Sequence, residues 1–343
     1  MNVWELLLLP GLDDTLSQVE AELRQAVSSP YPLLSQVSSH LVLAGGKRLR
    51  PALLVAAAAA TGAPASGGVV QGAVAVELVH MGSLCHDDVI DEASSRRGVA
   101  SANARWGNLV AILTGDFLLA RASEIAAELG NEVVRVLATT IGQLCQGEVS
   151  QLHDAFSTER SEAAYFGSIS SKTASLISAS TRIGGIVAGA DETAVECLSR
   201  FGHALGMAFQ IWDDLRDFVC NEAELGKPAA NDIVEGTYTL PVIRALADPE
   251  TGPELAALLG QGLAAPERDK ARDMVLASGA IASSVTEGRR WAEAAASALR
   301  QMPPAGPAVP ADGPPGTARE VRETLAGLAH RLLDDLGART SLA

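Results

Sequence analysis

Two acidic clusters carry the residue types and spacing best suited to chemistry. Each follows an apolar run and contains three aspartates: Asp87, Asp88 and Asp91 in CHDDVIDEASSRRG, and Asp213, Asp214 and Asp217 in QIWDDLRDF. If the first stretch is helical, Asp87 and Asp91 lie one turn apart on the same face. Like charges at that spacing destabilise a helix by about 0.2 to 0.5 kcal/mol, and the helix macrodipole adds to this near a C-terminus. Solvation of an acidic turn or a bound cation would relieve the repulsion.

Because the cluster occurs twice, the sequence favours the bound cation over the solvated turn. Mg²⁺ typically binds one or two carboxylates together with waters and phosphate oxygens. Two such clusters facing each other across a helical bundle would hold a diphosphate between metal ions. The recurrence therefore predicts a metal-dependent site for a diphosphate ligand.

Basic residues near glycines and expected helix starts supply the opposite charge. The stretch AGGKRLRP places Lys47, Arg48 and Arg50 near the start of an expected helix, and donors at such a position suit a phosphate. Arg96 and Arg97 follow the first acidic cluster and point in different directions, which suits contact with two separate anions. The chain has four lysines, and three lie in settings suited to phosphate: Lys47, Lys172 in SKTAS, and Lys227 in LGKPAAN. The nucleotide-binding pattern G-x-x-x-x-G-K-[ST] is absent, so no P-loop is predicted.

Composition excludes several classes of protein. The chain of 343 residues is 48% hydrophobic with a formal net charge of −15, which argues against global disorder and against binding nucleic-acid phosphates. Four cysteines without short paired spacings indicate a reduced, cytoplasmic protein. No continuous apolar run reaches the roughly 18 residues of a membrane span, so any membrane contact would be peripheral, to deliver or receive an apolar molecule.

Apolar residues recur at intervals of three and four along nearly every long segment, which predicts an all-α protein. The expected helices are 51–61, 69–91, 108–129, 132–151, 171–189, 191–218 and 239–247. No sustained alternation predicts a sheet. Residues 1–301 are expected to form one domain, followed by a Pro/Gly-rich linker over 302–316 and by a C-terminal segment, 317–343, whose helix packs on the same domain.

Six motifs, taken in chain order, resemble those of the trans-polyprenyl diphosphate synthases. They are GGKRLRP, HDDVIDEASSRRG, GD at Gly115 and Asp116, KTAS, QIWDDLRD and GKPAANDIVEGTYTLP. The resemblance is strong over about residues 35–245. It implies a helical bundle around a central cavity, of the class I isoprenoid synthase type, and a homodimer. It also implies a Mg²⁺-dependent enzyme that condenses isopentenyl diphosphate with an allylic diphosphate into an all-trans product.

The resemblance also implies a role for each matching residue. Catalysis is assigned to Asp87, Asp91, Arg96, Lys172 and Asp213. Three Mg²⁺ ions are implied, with ligands Asp87, Asp91 and Asp213 and with Asp88 and Asp217 in support. Contacts to the allylic diphosphate are assigned to Arg96, Lys172, Thr173, Gln210 and Lys227. Contacts to isopentenyl diphosphate are assigned to Lys47, Arg50, His80 and Arg97. A lone histidine in an apolar helix is usually a core residue. His80, however, lies two turns before Asp87 on the same face of the helix, so a side chain that points into the cavity is geometrically consistent.

Product length depends on Gly82 and Ser83, which lie about one turn before Asp87, where a growing chain would run. In short-chain members of the family, bulky aromatic residues at these positions form a floor. A glycine within a helix costs roughly 1 kcal/mol relative to alanine, so either an open tunnel or close helix packing is expected to compensate. The tunnel is favoured here, and with it a medium or long chain.

Three alternatives remain open at this point. The first is a short-chain geranylgeranyl diphosphate synthase with a floor further along the cavity. The second is a class I terpene cyclase, although the fully acidic DDLRD differs from the usual cyclase pattern. The third is a non-catalytic partner subunit, although both aspartate motifs are intact.

Overall fold

The computed structural model describes residues 7, 9, 11–63, 66–225, 228–304 and 318–340. Within these ranges the chain is almost entirely helical. The first seven α-helices are α1 (Leu12–Ala26), α2 (Pro32–Leu43), α3 (Leu49–Ala60), α4 (Gly67–Ile90), α5 (Ala102–Trp106), α6 (Asn108–Leu129) and α7 (Asn131–His153). The next five are α8 (Glu162–Ile169), α9 (Ser175–Val187), α10 (Glu192–Val219), α11 (Glu222–Leu225) and α12 (Asn231–Val234). The last five are α13 (Leu240–Leu246), α14 (Gly252–Leu258), α15 (Ala265–Ala277), α16 (Ala280–Arg300) and α17 (Ala318–Thr340).

Two short elements interrupt the helices and were not predicted. Strands β1 (Ser95–Arg96) and β2 (Val99–Ala100) form an antiparallel hairpin after α4. A π-helical turn, Ser170–Ala174, precedes α9 within the predicted helix 171–189. The other predicted helices are confirmed within a few residues. Both exceptions fall on residues that the sequence assigns to the site.

Two compact units make up the chain. The first unit comprises Met1–Gly142, Leu176–Gly202 and Ala298–Leu325, and the second comprises Gln143–Ser175, His203–Ser297 and Ala326–Ala343. Their boundaries fall within helices, not in the proline-rich segment. Of the predicted linker 302–316, only residues 302–304 are described, and they are not helical. The division at residues 301 and 317 therefore stays a prediction.

The core of the first unit is built around α4. Most of α4 is buried, and small residues let its neighbours approach closely: a Cβ added to Gly72 would lie 3.3 Å from carbon atoms of Leu54 and Ile183. By length and composition α4 is the one helix among the described residues that could cross a membrane, but 72% of its apolar window is buried. Such burial is typical of the core helix of a globular protein.

The core of the second unit surrounds the end of α10. Ile211, Trp212, Leu215 and Phe218 are almost completely buried. The guanidinium of Arg272 in α15 donates to the Phe218 carbonyl through two nitrogens, at 2.8 and 2.6 Å. A cation at this end satisfies a helix carbonyl and opposes the negative end of the helix dipole. The helix that carries the second acidic cluster is thereby held at its C-terminal end.

None of the four cysteines, all of which are described, forms a disulfide.

Candidate active site

The first acidic cluster lies at the C-terminal end of α4 and leads into the hairpin. Between the two strands, Arg97 and Gly98 both have positive φ, 53° and 79°. Two consecutive residues of this kind form the turn that matches the twist of a tight hairpin. The turn separates the neighbouring arginines, because Arg96 lies on a strand and Arg97 lies at its tip. Their predicted difference in direction is confirmed, since Arg96 contacts Asp88 whereas Arg97 contacts the carbonyl of Gly45.

Asp88 and Arg96 form a partly buried ion pair. The Asp88 side chain is completely buried, and its Oδ1 accepts from Nε and Nη2 of Arg96 at 2.7 and 2.5 Å. Asn103 also donates to the Asp88 carbonyl, at 2.9 Å. By contrast, Asp87 is half-buried and Asp91 is exposed. Asp88 therefore positions Arg96 in this structure, and its supporting role toward a metal stays a prediction.

The loop between α2 and α3 brings further cations to this hairpin. Lys47 is exposed, while Arg48 is buried and occupies the left-handed region with φ 44°. That conformation costs a residue other than glycine roughly 1 to 2 kcal/mol. At Gly46 an added Cβ would lie 2.7 Å from Cζ of Arg97, so a larger residue would displace that guanidinium from its present position.

Arg50 points to an anionic ligand. Its Nε atom is buried and has no hydrogen-bond partner among the described residues. Burial lowers the pKa of Arg50 to about 10, and the charge of Glu77 only partly opposes that shift. Orphaned buried donors are rare in folded proteins, and a bound ion or ligand is one explanation for such a donor. A phosphate oxygen would satisfy this donor.

His80 stands half-buried among these arginines. Burial and then the charges of Arg50 and Arg97 hold the pKa of His80 well below its usual range, so the imidazole is neutral at neutral pH. A neutral imidazole can donate one hydrogen bond without adding charge. His80 is thus suited to bind a ligand oxygen.

Gly82 does not line open space. A Cβ added to it would lie 3.1 Å from the Gly115 carbonyl oxygen and 3.1 Å from Cγ of Leu119, both on α6. Gly82 therefore marks a close crossing of α4 and α6 opposite Gly115. The sequence interpretation that favoured a tunnel over close helix packing at Gly82 is wrong. Ser83 is half-buried, and its hydroxyl donates to the His80 carbonyl at 2.9 Å. Because Gly82 packs against α6, the predicted chain-length role now depends on Ser83.

In the second unit, a chain of hydrogen bonds connects the acidic cluster to Thr173. Thr173 donates to Oε1 of Gln210 at 2.6 Å, and Nε2 of Gln210 donates to Oδ1 of Asp214 at 2.8 Å. The hydroxyl of Tyr165 contacts Oδ2 of Asp214 at 2.6 Å. Burial and then the charge of Asp232 raise the pKa of Asp214 to about 8, although both hydrogen bonds act against the shift. Both ends of the Gln210 amide are thus fixed.

Lys172 and Thr173 lie on the π-helical turn, which is packed between two glycines. A Cβ added to Gly147 would lie 2.9 Å from the Lys172 amide nitrogen, and one added to Gly206 would lie 2.5 Å from Cα of Ala174. Single π-helical turns often occur at functional sites. Nζ of Lys172 forms an ion pair with Glu148 at 2.6 Å.

The remaining aspartates of the second cluster differ in exposure. The Asp213 side chain is 55% exposed and lies 3.7 Å from Arg216. Asp217 is buried, and its Oδ2 and carbonyl accept from the amides of Asp232 and Ala230 at 3.2 and 2.8 Å. Asp217 therefore holds the start of α12, while Asp213 is exposed. Lys227, assigned to the allylic diphosphate, lies outside the described residues.

Three residues that position the site were not predicted: Glu77, Glu148 and Tyr165. Glu77 carries the clearest signal, because a lone carboxylate within the apolar run AVAVELVHM is rarely buried without a partner. Nothing local in the sequence distinguishes Tyr165, whose partner Asp214 lies 49 residues away.

No three His, Cys, Asp or Glu side chains within the described ranges are arranged to enclose a metal ion. The donors nevertheless fit Mg²⁺, which keeps several waters and uses few carboxylates together with substrate phosphates. Asp87, Asp91 and Asp213 are the exposed or half-buried members of the two clusters. They are the carboxylates that a hydrated ion could reach.

Comparisons with known proteins identify the family of this chain. The family described as polyprenyl synthetase matches residues 31–274. The chain is 46% identical to heptaprenyl diphosphate synthase component 2 of Geobacillus stearothermophilus over 248 residues, which are 72% of this chain and 77% of that protein. It is 43% identical to nonaprenyl diphosphate synthase of Mycobacterium tuberculosis over 240 residues, 70% of each chain.

A solved structure shows the same fold. It is a polyprenyl synthase from Caulobacter crescentus CB15 complexed with calcium and isoprenyl diphosphate, with a TM-score of 0.83, 33% identity and 96% coverage of each chain. The chain belongs to the polyprenyl synthetase family, and it is a prenyltransferase with the all-α fold of that family. The resemblance drawn from its motifs is confirmed.

Replacing Tyr165 with phenylalanine tests the hydrogen-bond chain in the second unit. We expect Tyr165→Phe to lower the free energy of unfolding by about 1 to 3 kcal/mol, because Asp214 loses a buried partner. Urea denaturation measures this change. Tyr238→Phe is the matched control, since the Tyr238 hydroxyl is buried without a partner among the described residues. Equal effects of the two variants would contradict the assigned role of Tyr165.

Proposed function

We propose that this chain condenses isopentenyl diphosphate with an allylic diphosphate, with Mg²⁺, to make an all-trans polyprenyl diphosphate of medium or long chain. The observation that carries the proposal is Arg50, whose buried Nε lacks a partner among the described residues and lies within a cluster of cations. A diphosphate supplies the missing acceptors and the compensating charge. The family supplies the reaction class.

Isopentenyl diphosphate is assigned to the cations of the first unit. Lys47, Arg50 and Arg97 would bind its diphosphate, and neutral His80 would donate one further hydrogen bond. No phosphate in this substrate leaves during the reaction, so the cluster acts by binding and orientation. The low pKa of His80 also means that it would not begin the reaction as an acid.

The allylic diphosphate is assigned to Arg96, Lys172, Thr173, Gln210 and Lys227. Arg96 and Lys172 already have carboxylate partners, Asp88 and Glu148, that hold their side chains in place. As the carbon–oxygen bond of the allylic substrate breaks, these cations stabilise the charge on the departing diphosphate. The double bond of isopentenyl diphosphate forms the new carbon–carbon bond, and a proton is then lost, which the departed diphosphate can accept.

Three Mg²⁺ ions, held by Asp87, Asp91 and Asp213, are part of this proposal. When bound, Mg²⁺ neutralises charge on the diphosphate oxygens. Support comes from the exposure of these carboxylates and from the similar Caulobacter protein, which binds calcium and isoprenyl diphosphate. The buried members, Asp88 and Asp217, would support the ligands by holding the neighbouring backbone and Arg96.

A product assay tests the reaction and its metal dependence. Farnesyl diphosphate, isopentenyl diphosphate and Mg²⁺ should yield products longer than twenty carbons by mass spectrometry. EDTA should abolish the products, and added Mg²⁺ should restore them. A product that stops at twenty carbons would identify the short-chain alternative instead. A cyclic hydrocarbon made without consuming isopentenyl diphosphate would identify a cyclase.

Product length is assigned to the space beside Ser83. We expect Ser83→Phe to shorten the main product by at least one five-carbon unit, because a ring would occupy the path of the growing chain. Ser83→Ala is the matched control and should leave the product distribution unchanged. If Ser83→Phe makes the wild-type product at the wild-type rate, the growing chain does not pass Ser83.

A homodimer is proposed on the basis of one face of α6. Leu109, Ile112 and Leu113 are 71%, 40% and 55% exposed and lie on one side of the helix. A cluster of exposed apolar side chains is typical of a protein interface. The name "component 2" of the Geobacillus relative raises a second protein as the alternative occupant.

Leu113→Glu should convert the dimer into a monomer by placing a charge in the interface, as measured by sedimentation velocity. Leu276→Glu in the second unit, at a position 39% exposed, is the control and should leave the dimer intact. A monomeric wild-type chain that becomes active only with a second protein would replace the homodimer with a heteromeric enzyme. A cytoplasmic location is also proposed, supported by the absence of disulfides among the four cysteines.

A further inference from the structure

Arg48 lies beside the residues assigned to isopentenyl diphosphate but faces away from them, into the protein. Its side chain is almost completely buried, whereas Lys47 before it is exposed. Arg48 also caps the start of α3 in the left-handed conformation, with φ 44° and ψ 35°. A large charged residue in this conformation needs strong contacts to hold it there.

Three elements supply those contacts. Nε of Arg48 forms an ion pair with Glu20 of α1, and Nη1 donates to Glu77 of α4 at 2.8 Å. Nη2 donates to the Val42 carbonyl in α2 at 3.2 Å. One planar guanidinium therefore connects the loop to three helices. A lysine ammonium carries the same charge, but it cannot present three donors in this fixed geometry.

Glu77 has a second effect through its charge. Its side chain is only 2% exposed, and its charge raises the pKa values of Arg48, Arg50 and Arg97, opposing the effect of burial on each. Glu77 is thus the buried counter-charge for the cations of this cluster. Oε1 of Glu77 accepts from Arg48, whereas Nε of Arg50 has no partner among the described residues.

We propose that Arg48, held by Glu20 and Glu77, is a positioning residue that directs Lys47 and Arg50 toward the diphosphate of isopentenyl diphosphate. The proposal rests on the proposed function, because it deepens the assignment of that substrate. Arg48 touches neither substrate. It holds the backbone turn from which its two neighbours project, and it keeps Glu77 from pairing with Arg50.

Arg48→Lys tests this role because it keeps the charge but removes the three-way contact. We expect the KM for isopentenyl diphosphate to rise about tenfold, while the KM for the allylic diphosphate changes less than twofold. Steady-state kinetics with each substrate varied in turn measure this difference. Calorimetric titration with isopentenyl diphosphate alone should show the same loss of affinity.

Arg182→Lys is the matched control. Arg182 also bridges two carboxylates in the first unit, Glu132 and Glu196, each at 3.2 Å, but none of these residues is assigned to a substrate. We expect this variant to leave both KM values unchanged. Thermal denaturation of both variants separates stability from substrate binding.

Glu20→Gln provides a milder test should Arg48→Lys fail to fold. Glu20 is 33% exposed, and its replacement leaves the buried ion pair between Arg48 and Glu77 in place. This variant should also raise the KM for isopentenyl diphosphate. Reduced thermal stability with both KM values unchanged would overturn the proposal, as would an equal rise in both. Wild-type protein that never consumes isopentenyl diphosphate would instead refute the proposed function, before any variant is compared.

Discussion

The contact between Glu77, within the apolar helix α4, and Arg48, in the loop before α3, is the interaction on which the first unit's share of the site depends. A buried charge is stable only when it is paired and hydrogen-bonded. Pairing Glu77 with Arg48 satisfies that requirement for both groups and fixes the loop, while Nε of Arg50 has no partner among the described residues. The proposed binding of an anion at Arg50 therefore depends on how the buried charges of this unit are paired.

The same principle separates the buried carboxylates of each acidic cluster from the more exposed carboxylates that are proposed to bind metal. Asp88 is buried and paired with Arg96, and Asp217 is buried and accepts backbone amides, whereas Asp87, Asp91 and Asp213 are half-buried or exposed. In the second unit, Asp214 fixes Gln210, which in turn fixes Thr173 on the π-helical turn. Each motif thus contains buried residues that make internal contacts and more exposed residues that the proposed function assigns to metal binding.

Close packing sets a further constraint. Gly82 lies opposite Gly115 at a helix crossing, and Gly147 and Gly206 lie against the turn that carries Lys172. These glycines serve the approach of one backbone to another rather than flexibility. A protein with few aromatic residues, 4% of the chain, builds its core from small and aliphatic side chains, which permits such approaches.

The sequence by itself determined the helical class, the positions of most long helices, the two aspartate clusters and the family. These features rest on local periodicity and on motifs whose residues are close together in the chain. Only the tertiary structure decided that Gly82 packs against α6, that Asp88 pairs with Arg96, and that a π-helical turn interrupts the predicted helix at Lys172. It also revealed the partners of Glu77 and Tyr165, which lie 29 and 49 residues away in the chain. Side-chain direction and pairing depend on which elements fold against one another, and periodicity along one segment carries no information about that.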